Sequence, residues 1–217
     1  MYDLTSGVDV SFDFNNPTLT SLNSPFQLQF AQDAESLLDI EFYKSLITNA
    51  VSAFRKSRVY KQYKSYLISL GLDYCQFHAN INSEMATIEM HHNMITIFDI
   101  AVIIAEHKIK MGEFITTFDL VKELEKVHTE NKVQLVMLSL TAHQLYHNTD
   151  DFFIHPDMCF GDWMSFLYEY RYGITRDIAY KILFYIKDAL KQGTSNDGEY
   201  LKLRDAIEDF SRLNELV

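Results

Sequence analysis

The sequence is poor in the residues that build turns. Its 217 residues include only 7 Gly and 3 Pro, whereas average usage would give roughly 26 of the two together. A β-sandwich or β-barrel needs a turn every ~8 to 12 residues, so this composition disfavours both folds. We therefore expect a mainly helical protein, long enough for one substantial domain with or without an appendage.

Cysteine is also scarce. Cys75 and Cys159 are the two cysteines, too few and too far apart to indicate a disulfide framework or a four-cysteine zinc site. The residues after Met1 lack the basic and apolar stretches of a signal peptide, and no apolar run reaches the ~18 residues of a membrane span. We expect a soluble intracellular protein that has no membrane partner.

Basic residues are outnumbered, since 19 Lys and Arg face 30 Asp and Glu and the formal net charge is -11. A field of this sign repels nucleic acid and disfavours a protein that coats DNA. The charge is uneven, because residues 1–54 hold seven acids and one Lys, and a run of cations without an acid follows. The run consists of Arg55, Lys56, Arg58, Lys61 and Lys64. It is either a solvated helix face or a phosphate-binding edge for DNA, aided by nearby tyrosines.

Apolar periodicity and turn residues divide the chain into four parts. The predicted parts are an extended N-terminal arm (1–35), a segment of one long helix or two (36–70), a mixed part (71–150) and a C-terminal helical segment (151–217). Within the mixed part, a strand ending at His91 is predicted to precede two helices in 97–130. A second short strand and a helix over 141–148 follow.

Four histidines in the mixed part have an informative spacing. His143 and His147 lie four residues apart on a predicted helix, so they project from one face and can reach one metal ion. His91 ends the first predicted strand and His92 follows it directly. Adjacent residues of a regular strand face opposite sides, so this pair can serve one site only if the chain bends there.

This order of residues resembles the HNH, or ββα-metal, nuclease family. The matching stretches are Ala86-Thr-Ile-Glu-Met-His-His92 and the residues from Asn131 to His147, and the H-x-x-x-H spacing is similar to the colicin-type DNases. The resemblance implies that His91, His143 and His147 bind a metal, that His92 is the general base and that Asn131 orients it. It also implies an HNH-like unit over 71–150 with a helical insertion over 97–130.

These roles suit the hydrolysis of a DNA phosphodiester, which needs a base, a cation near the oxygens that gain charge, and a group that holds the base in place. Three imidazole ligands favour Zn over Mg as the divalent metal and leave a fourth position open. The leading hypothesis is therefore an HNH-type, metal-dependent endonuclease that binds DNA.

The chain is also similar in style to proteins of tailed phages, in its Asn- and Lys-rich, aromatic composition and its layout of an arm followed by helices. This resemblance implies a different function, that of a non-catalytic virion assembly protein such as a head–tail connector or neck ring subunit. The ββα unit would then be structural, residues 1–35 would contact other phage subunits, and the protein would occur in the host cytoplasm or the virion.

Overall fold

The chain forms mainly helical structure with two small antiparallel sheets, as a computed structural model describes it for residues 39–149 and 152–215. The helices of the described residues are α1 (Ile40–Lys56), α2 (Arg58–Ser69), α3 (Ile97–Lys110), α4 (Thr117–Thr129), α5 (Leu140–Asn148), α6 (Trp163–Glu169), α7 (Arg176–Gln192) and α8 (Asp197–Glu215). The strands are β1 (Tyr74–Cys75), β2 (His78–Asn82), β3 (Ile88–His92) and β4 (Leu135–Ser139). The prediction of a mainly helical chain is confirmed. The predicted arm, residues 1–35, lies outside the described residues.

A break at Ser57 separates the first two helices. Ser57 has an extended backbone, and its hydroxyl accepts a hydrogen bond of 3.1 Å from the backbone N–H of Tyr60. A serine in this position satisfies one of the free N–H groups that begin a helix. The segment over 36–70 therefore contains two helices, and the basic run lies on both sides of the break between them.

Both helices of the insertion begin with a reciprocal cap. The Thr96 and Thr116 hydroxyls accept from the backbone N–H of Asp99 and Asp119, whose carboxylates accept from the threonine N–H groups in return. The threonine, two residues, acid spacing predicts this arrangement. It fixes where α3 and α4 start, and so which residues of α4 face the interior.

Strands β3 and β4 pair antiparallel, with Ile88 opposite Ser139 and His92 opposite Leu135. The pairing runs without a bulge through His92, so the strand does not bend at the histidine pair. Helix α5 follows β4 directly, and Ser139 caps it by accepting from the Ala142 N–H at 3.3 Å. The described chain thus has the predicted order of strand, two helices, strand and helix.

The core surrounds β4, all five residues of which are buried, and α3, which buries several isoleucines and alanines. The turn at 171–173 approaches α3 so closely that a Cβ on Gly173 would lie 1.7 Å from the Ile103 carbonyl oxygen. Only glycine fits at that contact. Among the described residues, no helix is both long enough and apolar enough to span a membrane.

The hairpin of β1 and β2 is not among the predicted elements. Its longer strand, His78–Asn82, is exposed or half-buried throughout, and its apolar side chains are those of Ala79 and Ile81 alone. Because strands are predicted from apolar alternation sustained over ~4 to 8 residues, so short and weakly apolar a stretch gives little signal.

Candidate metal centre

The structure brings His91, His143 and His147 together. β3 presents His91 toward α5, where the other two histidines lie one turn apart, and the ligating nitrogens of all three lie within 4.8 Å of one another. The Nε2 atoms of His143 and His147 are 3.1 Å apart. The helical spacing and the strand–helix pairing together produce this convergence.

These separations suit a small tetrahedral ion. Zn–N bonds of ~2.0 to 2.1 Å at tetrahedral angles place two ligand nitrogens ~3.3 Å apart. The His143 and His147 pair is near that value, and His91 reaches it with a movement of an ångström or two. Imidazole nitrogens are preferred ligands of Zn²⁺ and other late transition metals.

His91 is a buried histidine, and the hydrogen bonding and pKa of its ring bear on its role as a ligand. The residue is 6% exposed, and its Nε2 is buried with no hydrogen-bond partner among the described residues. Burial, followed by the proximity of His143 and His147, lowers the pKa of His91 from 6.5 to about 3. The ring is therefore neutral near pH 7, the form in which a histidine binds a metal.

Glu89 orients His143 within the cluster. Its carboxylate accepts a hydrogen bond from Nδ1 of His143, which leaves Nε2 of that ring facing His147. A carboxylate behind a histidine ligand is the usual support of a metal site. No role is predicted for Glu89 from the sequence, although Glu89 and His91 lie two residues apart in a strand and so share a face.

His92 lies on the opposite side of β3 from the cluster. Its Nε2 is 2.9 Å from Nε2 of His128 in α4, and the other ring nitrogen of His128 donates to the Leu124 carbonyl at 2.6 Å. His128 therefore accepts through Nε2, and His92 donates. Burial and the nearby His128 lower the pKa of His92 well below its ordinary value. No motif in the sequence connects His128 to His92.

Asn131 lies in the turn after α4 and has a left-handed backbone, at φ 56°. Its side-chain oxygen accepts from the Tyr63 hydroxyl at 3.1 Å. Asn93, the residue after the histidine pair, is buried and donates to the Tyr185 hydroxyl at 2.8 Å. Among the described hydrogen bonds, His92 is thus held by His128, and not by Asn131 as the resemblance implies.

The five cations of the basic run lie where α1 meets α2, and none forms an ion pair with a described residue. Lys64 donates to the Ile88 carbonyl at 3.2 Å, and the Arg55 guanidinium lies over the Phe98 ring at 5.6 Å. The remaining members, Lys56, Arg58 and Lys61, are exposed. The structure places this surface on α1 and α2, outside β3, β4 and α5.

Comparison with known proteins bears on these alternatives. A family model described as "Bacteriophage G278-like virion protein" matches residues 6–209 of the chain. No curated protein and no solved structure matches it. The family match agrees with the predicted phage origin and with a place in the virion, and nothing in the comparisons indicates an HNH fold or nuclease activity.

Proposed function

We propose, since the chain belongs to the Bacteriophage G278-like virion protein family, that it is a structural subunit of the phage particle in which a zinc ion fastens α5 to β3. The observation that carries this structural reading is the His92–His128 pair. This hydrogen bond engages His92, the residue that a nuclease of the HNH type would use as its general base.

A general base must reach the water that it deprotonates. The Nε2–H group of His92 donates a hydrogen bond to His128, which is 0% exposed. The metal-ligand cluster lies on the other face of the strand. A base in this position is separated by the strand itself from water bound at the cluster. The histidine cluster therefore supports a structural metal better than a catalytic one.

A structural metal at this position would attach α5 to the rest of the fold. Helix α5 has nine residues, all described, of which Ala142 alone is buried. A helix of this length is marginal without tertiary contacts. A zinc ion held by His91, His143 and His147 would join α5 to the buried sheet and satisfy the unpartnered Nε2 of His91.

For the place in the particle, we propose a ring, at the head–tail connector or neck. Residues 1–35 contain five acids and no Lys or Arg, whereas the cations of the basic run are concentrated at 55–64. Contacts between unlike patches are heterologous, and heterologous contacts that close produce rings. This separation of charge supports a ring subunit.

Elemental analysis of the purified full-length chain after zinc loading and gel filtration tests the proposal. We expect one zinc per chain for the wild type and for His78→Ala, a control at an exposed histidine. His143→Ala is expected to retain none. A wild-type chain that takes up no zinc would overturn the metal part of the proposal, and absence of the protein from purified particles would overturn its structural role.

Metal-dependent DNA cleavage is a second candidate, favoured by the fourth coordination position that three histidine ligands leave open. Incubation of supercoiled plasmid with the protein and Mg²⁺, Mn²⁺ or Zn²⁺ decides between the two. We expect no nicking. Nicking by the wild type that His92→Ala abolishes would establish the nuclease instead.

A further inference from the structure

We infer that the N-terminal segment, residues 1–35, of a second copy of this chain docks on the basic surface, defined by the cations of the basic run and the neighbouring apolar side chains of Phe98 and Ile68. The inference rests on the proposed role as a ring subunit and names the contact between neighbouring subunits. Charge, exposure and apolar composition each support it.

Among the described residues, no acid forms an ion pair with the basic surface. Its five cations make no ion pair with any residue in 39–149 or 152–215. Glu89 is an acid close to this surface, where it acts on Tyr60, but its carboxylate is hydrogen-bonded to His143. A concentration of unpaired positive charge attracts an acidic partner and steers its approach.

Apolar side chains accompany the cations. Phe98 is 41% exposed beside Arg55, and Ile68 is 43% exposed. Ile68 follows Lys61 and Lys64 by seven and four residues in α2, so the three share one face of the helix. A partner that fits this surface therefore combines negative charge with apolar side chains.

The N-terminal segment has this composition. It contains five acids, no Lys or Arg, and the aromatic residues Tyr2, Phe12, Phe14, Phe26 and Phe30. Duplex DNA would meet the cations with its phosphates, but it offers no aromatic side chains to Phe98 and Ile68. The net charge of -11 on the chain also opposes its approach.

The proposed ring, and not chain length, favours a second copy as the source of the segment. Glu35 is five residues from Ile40, which an extended backbone spans in at most ~17 Å. Arg55 lies 15 residues along α1 from Ile40, a rise of ~22 Å. Within one chain, the backbone at Glu35 therefore stops short of Arg55, whereas the acids farther along the segment can reach the surface from either copy. In a closed ring the contact between unlike surfaces joins neighbouring copies.

A charge exchange in the full-length chain tests the contact. Arg58→Glu with Lys61→Glu reverses the surface, and Asp9→Lys with Asp13→Lys reverses the segment. We expect each pair alone to weaken self-association about tenfold in sedimentation velocity, since charged pairs at an interface set both encounter and register. All four changes in one chain should restore association to near the wild-type value. The matched control is Lys187→Glu with Lys202→Glu, at exposed positions of α7 and α8, which should leave association unchanged.

Cross-linking of mixed ¹⁵N-labelled and unlabelled chains distinguishes the two sources of the segment. Links between residues 1–35 and α2 that join labelled to unlabelled copies support the inference. Links confined to one copy, a wild-type chain that stays monomeric at its highest soluble concentration, or failure of the fourfold variant to recover would overturn it. Loss of plasmid retention in the surface variant, with association unaffected, would assign the surface to DNA. Zinc content and incorporation into particles report separately on the proposed function.

Discussion

The two faces of β3 carry the same side chain in adjacent positions and use it in opposite ways. His91 lies beside two other histidines and a carboxylate that orients one of them, and its Nε2 has no hydrogen-bond partner within the part of the chain that the structure describes. His92 donates to His128, whose second nitrogen is already committed to a backbone carbonyl. What a histidine can do is therefore set by the hydrogen bonds of its neighbours, which fix where the lone pairs point.

The largest expected effect is on zinc affinity, which should respond to a change at His91 and not to one at His92. We expect His91→Ala to weaken zinc binding at least about 100-fold, because it removes one of three ligands. His92→Ala should bind zinc as the wild type does, although the loss of the partner of His128 lowers its stability. Titration against a chromophoric zinc chelator measures both. Equal losses in the two variants would show that the faces are not separate.

The second prediction concerns acid stability on the His92 side. Burial lowers the pKa of His128 from 6.5 to about 4. Between these two values the unfolded chain binds a proton that the folded chain does not, so the free energy of unfolding falls as the pH falls through this window and recovers above it. The shift corresponds to ~3 kcal/mol, most of which should be lost by about pH 4.

Urea unfolding at several pH values, in the presence of EDTA to remove the metal, measures this loss. The control is His128→Gln, which cannot titrate and should show a shallower dependence on pH below 6.5, from a lower starting stability. A dependence of equal slope in the wild type and the variant would assign the acid sensitivity to other groups.

The third prediction concerns the support of the metal ligands. Glu89→Gln keeps the size of the side chain but weakens the hydrogen bond that orients His143. Substitution of such a supporting group costs ~10- to 100-fold in metal affinity, and we expect the lower end because the ligands themselves stay. Glu84→Gln, an exposed acid in the turn before β3, is the matched control. No change in zinc affinity with Glu89→Gln would remove its orienting role.

The contrast also shows which features the sequence could predict. Local sequence signals are sufficient to predict α3 and the caps at Thr96 and Thr116, since all the residues of a capping box lie within a stretch of four. The convergence of His143 and His147 follows from helical spacing, and that of His91 from the order of strand and helix. The His92–His128 pair joins residues 36 apart through packing of α4 against β3, for which no local pattern exists. The same holds for the hydrogen bond between Tyr63 and Asn131, 68 residues apart.

The smallest expected effect concerns that last bond. Tyr63→Phe removes the hydroxyl that donates to Asn131 and should lower the free energy of unfolding by ~1 kcal/mol, the typical worth of a single hydrogen bond. Zinc affinity should not change, because Asn131 belongs to the turn that ends α4. Tyr66→Phe, three residues along α2 and 43% exposed, is the control and should be neutral in urea unfolding. A Tyr63→Phe variant of unchanged stability but altered zinc affinity would connect Asn131 to the metal centre, as the nuclease resemblance requires, and would join the two faces of β3 into one site.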